Sequence, residues 1–248
     1  MSLLEVREVT KRFGRIEAVR GVSFALDPAE AVGLIGDNGA GKSTLVKLLS
    51  GVHQPTSGEI VLDDEAVRFT TPLDARAAGV EIIHQDLALC DDLDIASNIF
   101  LGREPRKRYG PLRLVDRNAM REGAERVMAE LGSSVPAQRG VAELSGGERQ
   151  LVAVGRALEF EPRVLLLDEP TAALSAEKIR VLLGLVEQLK ARGVAIVLIS
   201  HRFTDVIHVC DRVLVLRQGK LAGEMRPAEH PPEHAMALMH ELMTGVAA

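Results

Sequence analysis

The sequence predicts an α/β fold built on a mostly parallel central sheet with an antiparallel β edge, and three observations carry that prediction. Short β-branched and aliphatic runs recur at 3–9, 22–26, 31–35, 59–62, 80–84, 163–167, 194–199 and 212–216, the pattern of strands. Helical stretches of ten or more residues, at 42–51, 116–131, 148–159 and 176–192, lie between many of them. The runs 164–167 and 194–199 are apolar almost throughout, as parallel strands covered on both faces must be.

Taken in order, residues 1–30 and 58–70 alternate and turn tightly, which places them at an antiparallel edge. The apolar strand 31–35 runs through a glycine-rich turn into the helix 42–51. After strand 80–84, the middle at about 90–160 carries longer helical patterns and few strand signals, and it reads as a helical subdomain inserted into the sheet. Strand, helix, strand and strand come next at 163–167, 176–192, 194–199 and 212–216. The segment 231–245 begins after prolines and ends at Gly245, as a closing helix should. The whole is read as one domain, 1–248.

Composition narrows the functions available. With 248 residues and 46% hydrophobic positions the chain can bury a large core. A formal charge of −5 lacks the basic excess of a nucleic-acid binder, so no nucleic-acid partner is expected. Aromatic residues are 3% of the chain, with no Trp and only Tyr109 among the tyrosines, which leaves little to stack on bases or sugar rings. Two distant cysteines, Cys90 and Cys210, suggest neither a disulfide framework nor a zinc site, and a reducing cytoplasm fits. The start, MSLLEVREVTKRF, lacks the apolar core of a signal peptide, and no run approaches the roughly 18 residues that span a bilayer. The one dense basic cluster, REPRKRYGPLRLVDR at 103–117, reads either as a solvated face or as a surface for anionic headgroups or a partner.

GDNGAGKST at 36–44 fits the phosphate-loop pattern G-x-x-x-x-G-K-[ST], and it stands between a strand and a helix as that reading demands. Gly36, Gly39 and Gly41 let the backbone curl so that N–H groups point inward, and Lys42 supplies a point charge for the β and γ phosphates. Ser43 would ligate Mg²⁺ and Thr44 would hold an α-phosphate oxygen. With Asp37, Asn38 and Ala40 these residues form the candidate nucleotide site. The spacing is not that of a dinucleotide-binding turn, in which Lys42 would have no role.

VLLLDEP at 164–170 ends a buried strand in two carboxylates. Asp168 is the candidate for the Mg²⁺ shell and Glu169 for orienting and polarising the attacking water, since phosphoryl transfer depends on positioning and charge stabilisation. VLISH, ending at His201, and HQD, centred on Gln85, close two further strands with polar residues. Each reads either as structural or as a ligand contact: His201 to the γ-phosphate or Glu169, Gln85 to Mg²⁺ or the water. In ELSGGERQ at 143–150, Ser145 can cap the next helix, while Gly146 and Gly147 leave N–H groups open to a second anion. Glu148 suits the helix dipole but sets a negative charge near any phosphate bound there.

In their order, the phosphate loop, Gln85, LSGGERQ, LLLDEP and His201 resemble the nucleotide-binding subunits of ABC transporters, and the resemblance covers nearly the whole chain. It implies a P-loop NTPase of ABC type that binds ATP and Mg²⁺ and hydrolyses ATP. It also implies that Ser145, Gly146 and Gly147 close over the nucleotide of a second copy of the chain, sandwiching two ATP molecules. Phe13 lies where the family stacks an aromatic on adenine; its other reading is a core residue. HQDLALCDDLDIASNIFLGRE and DEPTAALS are similar to carbohydrate importers of the ribose, xylose and fructose type. That resemblance implies transmembrane permease subunits, an external sugar-binding protein and a peripheral place on the cytoplasmic face of the plasma membrane. Two departures stand out: Glu148 where most members have Gln, and Ser175 where many have Asp. A different polar cargo, a soluble ATPase of DNA repair or translation, and an adenylate-kinase-like phosphotransferase are the competing readings. The last has no use for LSGGERQ.

Overall fold

A computed structural model describes residues 2–83, 87–171 and 175–245. The chain runs β1 (Leu4–Phe13), β2 (Ile16–Leu26), β3 (Ala31–Ile35), α1 (Lys42–Leu49), β4 (Ser57–Leu62), β5 (Glu65–Val67), α2 (Pro72–Ala77) and β6 (Val80–Ile83). The middle holds α3 (Ile95–Ile99), β7 (Arg106–Tyr109), β8 (Leu112–Val115), α4 (Arg117–Glu130) and α5 (Gly146–Leu158). It closes with β9 (Val164–Asp168), α6 (Ala176–Ala191), β10 (Ala195–Ile199), α7 (Phe203–Val209), β11 (Arg212–Arg217), β12 (Lys220–Met225) and α8 (Pro232–Thr244).

Six strands form the central sheet in the order β12-β11-β3-β10-β9-β6. Every pairing is parallel except that of β12 with β11. The apolar runs behave as their sequence demands. Val164 and Leu166 of β9, with Ala195, Val197 and Ile199 of β10, face one core, while Leu165, Leu167, Ile196 and Leu198 face the other. Successive side chains leave a strand on opposite faces, so a strand covered on both sides must be apolar at every position. Each large aliphatic side chain fully buried in this way contributes about 1.5–3 kcal/mol.

Antiparallel β12 edges that sheet, and the antiparallel strands of 1–30 and 58–70 form a second one ordered β2-β1-β4-β5. Leu4, Val6 and Val9 of β1 and Val22 and Leu26 of β2 are buried against α1 and the Val32, Leu34 and Val197 face of the parallel sheet. A strand with one apolar side gains more by lying over another apolar layer than by adding an edge. The opposite face of the parallel sheet is covered from α3, α4, α5 and α6.

The middle departs from the expectation of few strands: residues 106–115 make a two-stranded hairpin, β7 with β8, belonging to neither sheet. Arg, Lys and Leu dominate it, so its β propensity is weak, and the Gly110-Pro111 turn sets the pairing. The closing helix ends as read, with Gly245 at φ 74°.

Candidate functional site

Strand register assembles the site. Leu34 of β3 stands beside Ile199 of β10, and Ile199 beside Asp168 of β9. The Gly36 loop, His201 and Glu169, each just past the end of its strand, therefore emerge side by side at one carboxyl edge, where open α/β sheets bind ligands. β6 flanks β9 and leads to Gln85, but residues 84–86 lie outside the described residues, and so does any test of Gln85 as a ligand.

The loop 36–44 is shaped to receive an anion. A Cβ at Gly36 would stand 2.2 Å from the Leu216 carbonyl oxygen, and one at Gly41 2.5 Å from that of Ala18. Gly41 also takes φ 107° at the cap of α1, a conformation closed to other residues. No side chain caps this helix and no acid sits in its first turn, so its leading N–H groups stay available. Asp37, Asn38, Gly39 and Ser43 are exposed, Gly36 and Thr44 half-buried, and Ala40 buried. Lys42 is buried, and its Nζ donates to the carbonyls of Gly36 (2.6 Å) and Asp37 (3.1 Å), so the ammonium fills the mouth of its own loop. Burial pushes the Lys42 pKa below the ordinary lysine value, against the opposing pull of Glu169, Asp37 and Asp168. Those three carboxylates thus surround the same charge.

Asp168 ends β9, and Glu169 comes next at φ 49°, a left-handed backbone that costs a side-chain-bearing residue about 1–3 kcal/mol. Its N–H donates to the Ile199 carbonyl at 2.9 Å, which fixes the turn across to β10. The Glu169 Oε2 lies 3.2 Å from His201 Nδ1, and the His201 side chain is 60% exposed, free to meet a ligand. Ser43 and Asp168 offer hard oxygen donors near the phosphate loop, a set that fits Mg²⁺.

The second helix N-terminus is partly spoken for. Ser145 caps α5: its Oγ accepts from the Glu148 N–H at 3.4 Å, and the Glu148 carboxylate accepts from the Ser145 N–H at 2.7 Å. Glu148 is therefore a capping-box residue here, with Arg139 3.7 Å from its carboxylate. Gly146 is exposed, and a Cβ there would meet nothing within 4 Å; Gly147 is buried. Ser175 stands at the cap of α6 without a side-chain cap bond.

Phe13 is not a core residue. It ends β1 with 43% exposure, its ring edge-on to His53 at 5.2 Å, on the sheet whose Ala18 carbonyl lies against Gly41. Sequence reasoning also missed a strap on α5. Arg156 donates to the carbonyls of Leu87 (2.7 Å) and Ala88 (2.8 Å), and Arg149, seven residues earlier on the same face, pairs with Asp91. Burial, and after it the neighbouring Arg76, lowers the Arg156 pKa while Glu81 opposes the shift. The helix that opens at Ser145 is thereby tied to the segment just beyond Gln85.

Beside α3 lies a groove of about 620 Å³, lined by Leu93, Ala96, Leu101, Val115 and Met120 and edged by Asp92. Leu93 is half-buried in its wall. The inner face of α3, with Ile95 and Ile99, belongs to the core.

Comparison with known proteins agrees with this architecture. Residues 19–172 match the family model described as ABC transporter. The chain is 43% identical over 237 residues to the ribose import ATP-binding protein RbsA 1 of Agrobacterium fabrum, covering 96% of this chain and 46% of that protein. It is 45% identical to the ribose import ATP-binding protein RbsA of Rhodococcus jostii, over 88% of this chain and 43% of that one. The chain thus spans less than half the length of these ribose relatives. To the xylose/arabinose import ATP-binding protein XylG of Sulfolobus acidocaldarius it is 41% identical, with 98% of this chain and 96% of that protein covered. Among solved structures, the ADP conformation of MJ1267, an ATP-binding cassette of an ABC transporter, superposes with a TM-score of 0.83 at 25% identity. It covers 99% of this chain and 100% of that one.

Proposed function

The chain belongs to the ABC transporter family, and from that premise we propose that it is the ATP-hydrolysing subunit of a carbohydrate importer. One observation carries the reading. An uncapped helix N-terminus with Lys42 opens onto the same sheet edge as Asp168 and the Glu169–His201 pair, so phosphate binding and water activation share one place. The ribose and xylose/arabinose import names of the relatives support the cargo class.

In this reading residues 1–248 work as one ATP-binding domain, with about 90–160 as its helical subdomain. The N–H groups of 39–44 and the Lys42 ammonium hold the phosphates of ATP, and Phe13 stacks on its adenine. Ser43, Asp168 and Gln85 would hold Mg²⁺, which when bound would supply charge neutralisation for the transferred phosphoryl group. Glu169 orients the attacking water, and His201 fixes Glu169 and reaches the γ-phosphate. Open space at Gly146 supports approach by the nucleotide of a second copy, closing an ATP sandwich. The test is sedimentation of Glu169→Gln. MgATP should drive it to a dimer and ADP should not; a monomer under both conditions, with and without permease, overturns the reading.

Glu148→Gln should keep the capping box, because the amide oxygen still accepts from the Ser145 N–H, while removing a negative charge from the approaching phosphates. Thermal stability should change by less than about 0.5 kcal/mol, and the KM for ATP should fall. An unchanged KM would argue that no phosphate meets α5.

The permease docks in the groove beside α3, whose apolar floor and mixed rim of Asp92, Asp94 and Glu104 beside Arg117 and Arg121 suit the end of an amphipathic helix. Leu101 lines it and is 45% exposed, which makes it a better probe than Leu93. Leu101→Asp should spare basal ATPase activity and lower its stimulation by reconstituted permease several-fold. Equal loss of both would place the segment in the catalytic core. The chain would then sit peripherally on the cytoplasmic face of the membrane, powered import passing through two permease subunits fed by a sugar-binding protein. Among the described residues no helix is long and apolar enough to cross a membrane.

A further inference from the structure

The hairpin of β7 and β8 takes no part in the nucleotide site, yet its residue pattern is specific. All eight strand residues are exposed. Register pairs Tyr109 with Leu112 and Lys107 with Leu114 on one face, and Arg106 with Val115 and Arg108 with Arg113 on the other. One face is thus aromatic and aliphatic, with Tyr109 60% and Leu112 61% exposed, and the other is basic. Residues 106–115 hold four basic residues and no acid, so the remainder of a chain of formal charge −5 carries a net −9.

Two features are costly for a hairpin in water. Arg108 and Arg113 sit directly opposite each other, a like-charged pair that repels, and no ion pair among the described residues holds Lys107, Arg108 or Arg113, while Arg106 feels the Glu104 carboxylate. A lone two-stranded hairpin with its apolar face uncovered is also marginal. An anion between the arginines and an apolar layer over Tyr109 and Leu112 relieve both at once. Gly110, at φ 59° in the turn, would meet nothing within 4 Å if it bore a Cβ, so the tip is open to approach.

We propose that this hairpin is a membrane-surface contact that meets the bilayer tip first, Tyr109 and Leu112 beside the Gly110-Pro111 turn entering the interfacial layer while the arginines and Lys107, farther from the tip, read anionic lipid headgroups. Charge complementarity selects this partner: the net negative remainder of the chain is repelled by an anionic bilayer, so the hairpin is the part that such a surface attracts. Tyrosine and leucine suit the boundary between headgroups and acyl chains. Placement agrees, because Val115 at the base of β8 lines the groove assigned to the permease. That orientation rests on the permease assignment; the lipid contact itself does not.

Flotation of the full chain with vesicles tests it, without nucleotide, permease or sugar. Phosphatidylcholine vesicles containing about one-third phosphatidylglycerol should carry the chain, those of phosphatidylcholine alone should not, and added salt should release it. Changing Arg106, Arg108 and Arg113 together to Glu should cut partitioning by at least about 100-fold, at about five-fold per basic residue lost. Tyr109→Ser with Leu112→Ser should weaken it with all charges in place, and both variants should keep parental basal ATPase activity. Equal partitioning of the parental and Glu-substituted chains overturns the proposal. So does binding that ignores lipid charge, or binding that requires permease in the vesicle, which would make the hairpin a protein contact. A chain that floats as expected but hydrolyses no ATP supports the hairpin and counts only against the ATPase reading.

Discussion

Glu169→Gln is expected to lower ATP turnover by about 10²–10⁴-fold while MgATP binding survives, because the amide keeps the shape of the side chain but cannot draw a proton from water. The backbone supports so specific a role. Glu169 is held at φ 49° by the bond from its N–H to Ile199, a conformation that costs stability and aims the carboxylate at His201 rather than back along β9. The substitution also removes one of the three negative charges around Lys42, so ATP affinity should hold or rise. Single-turnover hydrolysis beside a nucleotide-binding titration separates the two effects. Parental turnover in a folded variant would remove Glu169 from the chemistry.

Much of this site was legible because strand ends write themselves into sequence. VLLL and AIVLI have the pattern of buried parallel strands, and Glu169 and His201, each two residues past its apolar run, stand at the carboxyl edge of the sheet. The phosphate loop was legible for a similar reason: Gly36 and Gly41 stand where backbone carbonyls of Leu216 and Ala18 leave no room for a side chain. Features that depend on long-range partners were not. Arg149 and Arg156 look like ordinary helix-surface charges until the 87–91 segment is folded against them, although their seven-residue spacing marks one face. β12, KLAGEM, is half-exposed and has no apolar run, so only its pairing with β11 makes it a strand. The second sheet was hidden because alternation reports one buried face without saying what covers it.

Lys42→Ala should weaken MgATP binding by at least about tenfold, the lower end of what a charged hydrogen bond to phosphate contributes, and turnover should fall with it. Without nucleotide its stability should change little. The ammonium's bonds to Gly36 and Asp37 replace water that its burial removed, so gain and cost nearly offset. The thermal upshift with MgATP should therefore be lost while the starting melting temperature stays. Alkaline pH adds a sharper test, because the folded Lys42 pKa lies below its unfolded value. Between those two values the unfolded chain binds more protons, so this group makes nucleotide-free stability rise with pH. ATP affinity must run the other way, since the phosphates need the ammonium charged and the free chain has lost its proton. Lys42→Arg, always charged, should abolish that alkaline fall even if its bulk lowers affinity throughout. An alkaline loss of affinity equal in the parental chain and in Lys42→Arg would assign the titration to another group and leave the loop without its proposed charge.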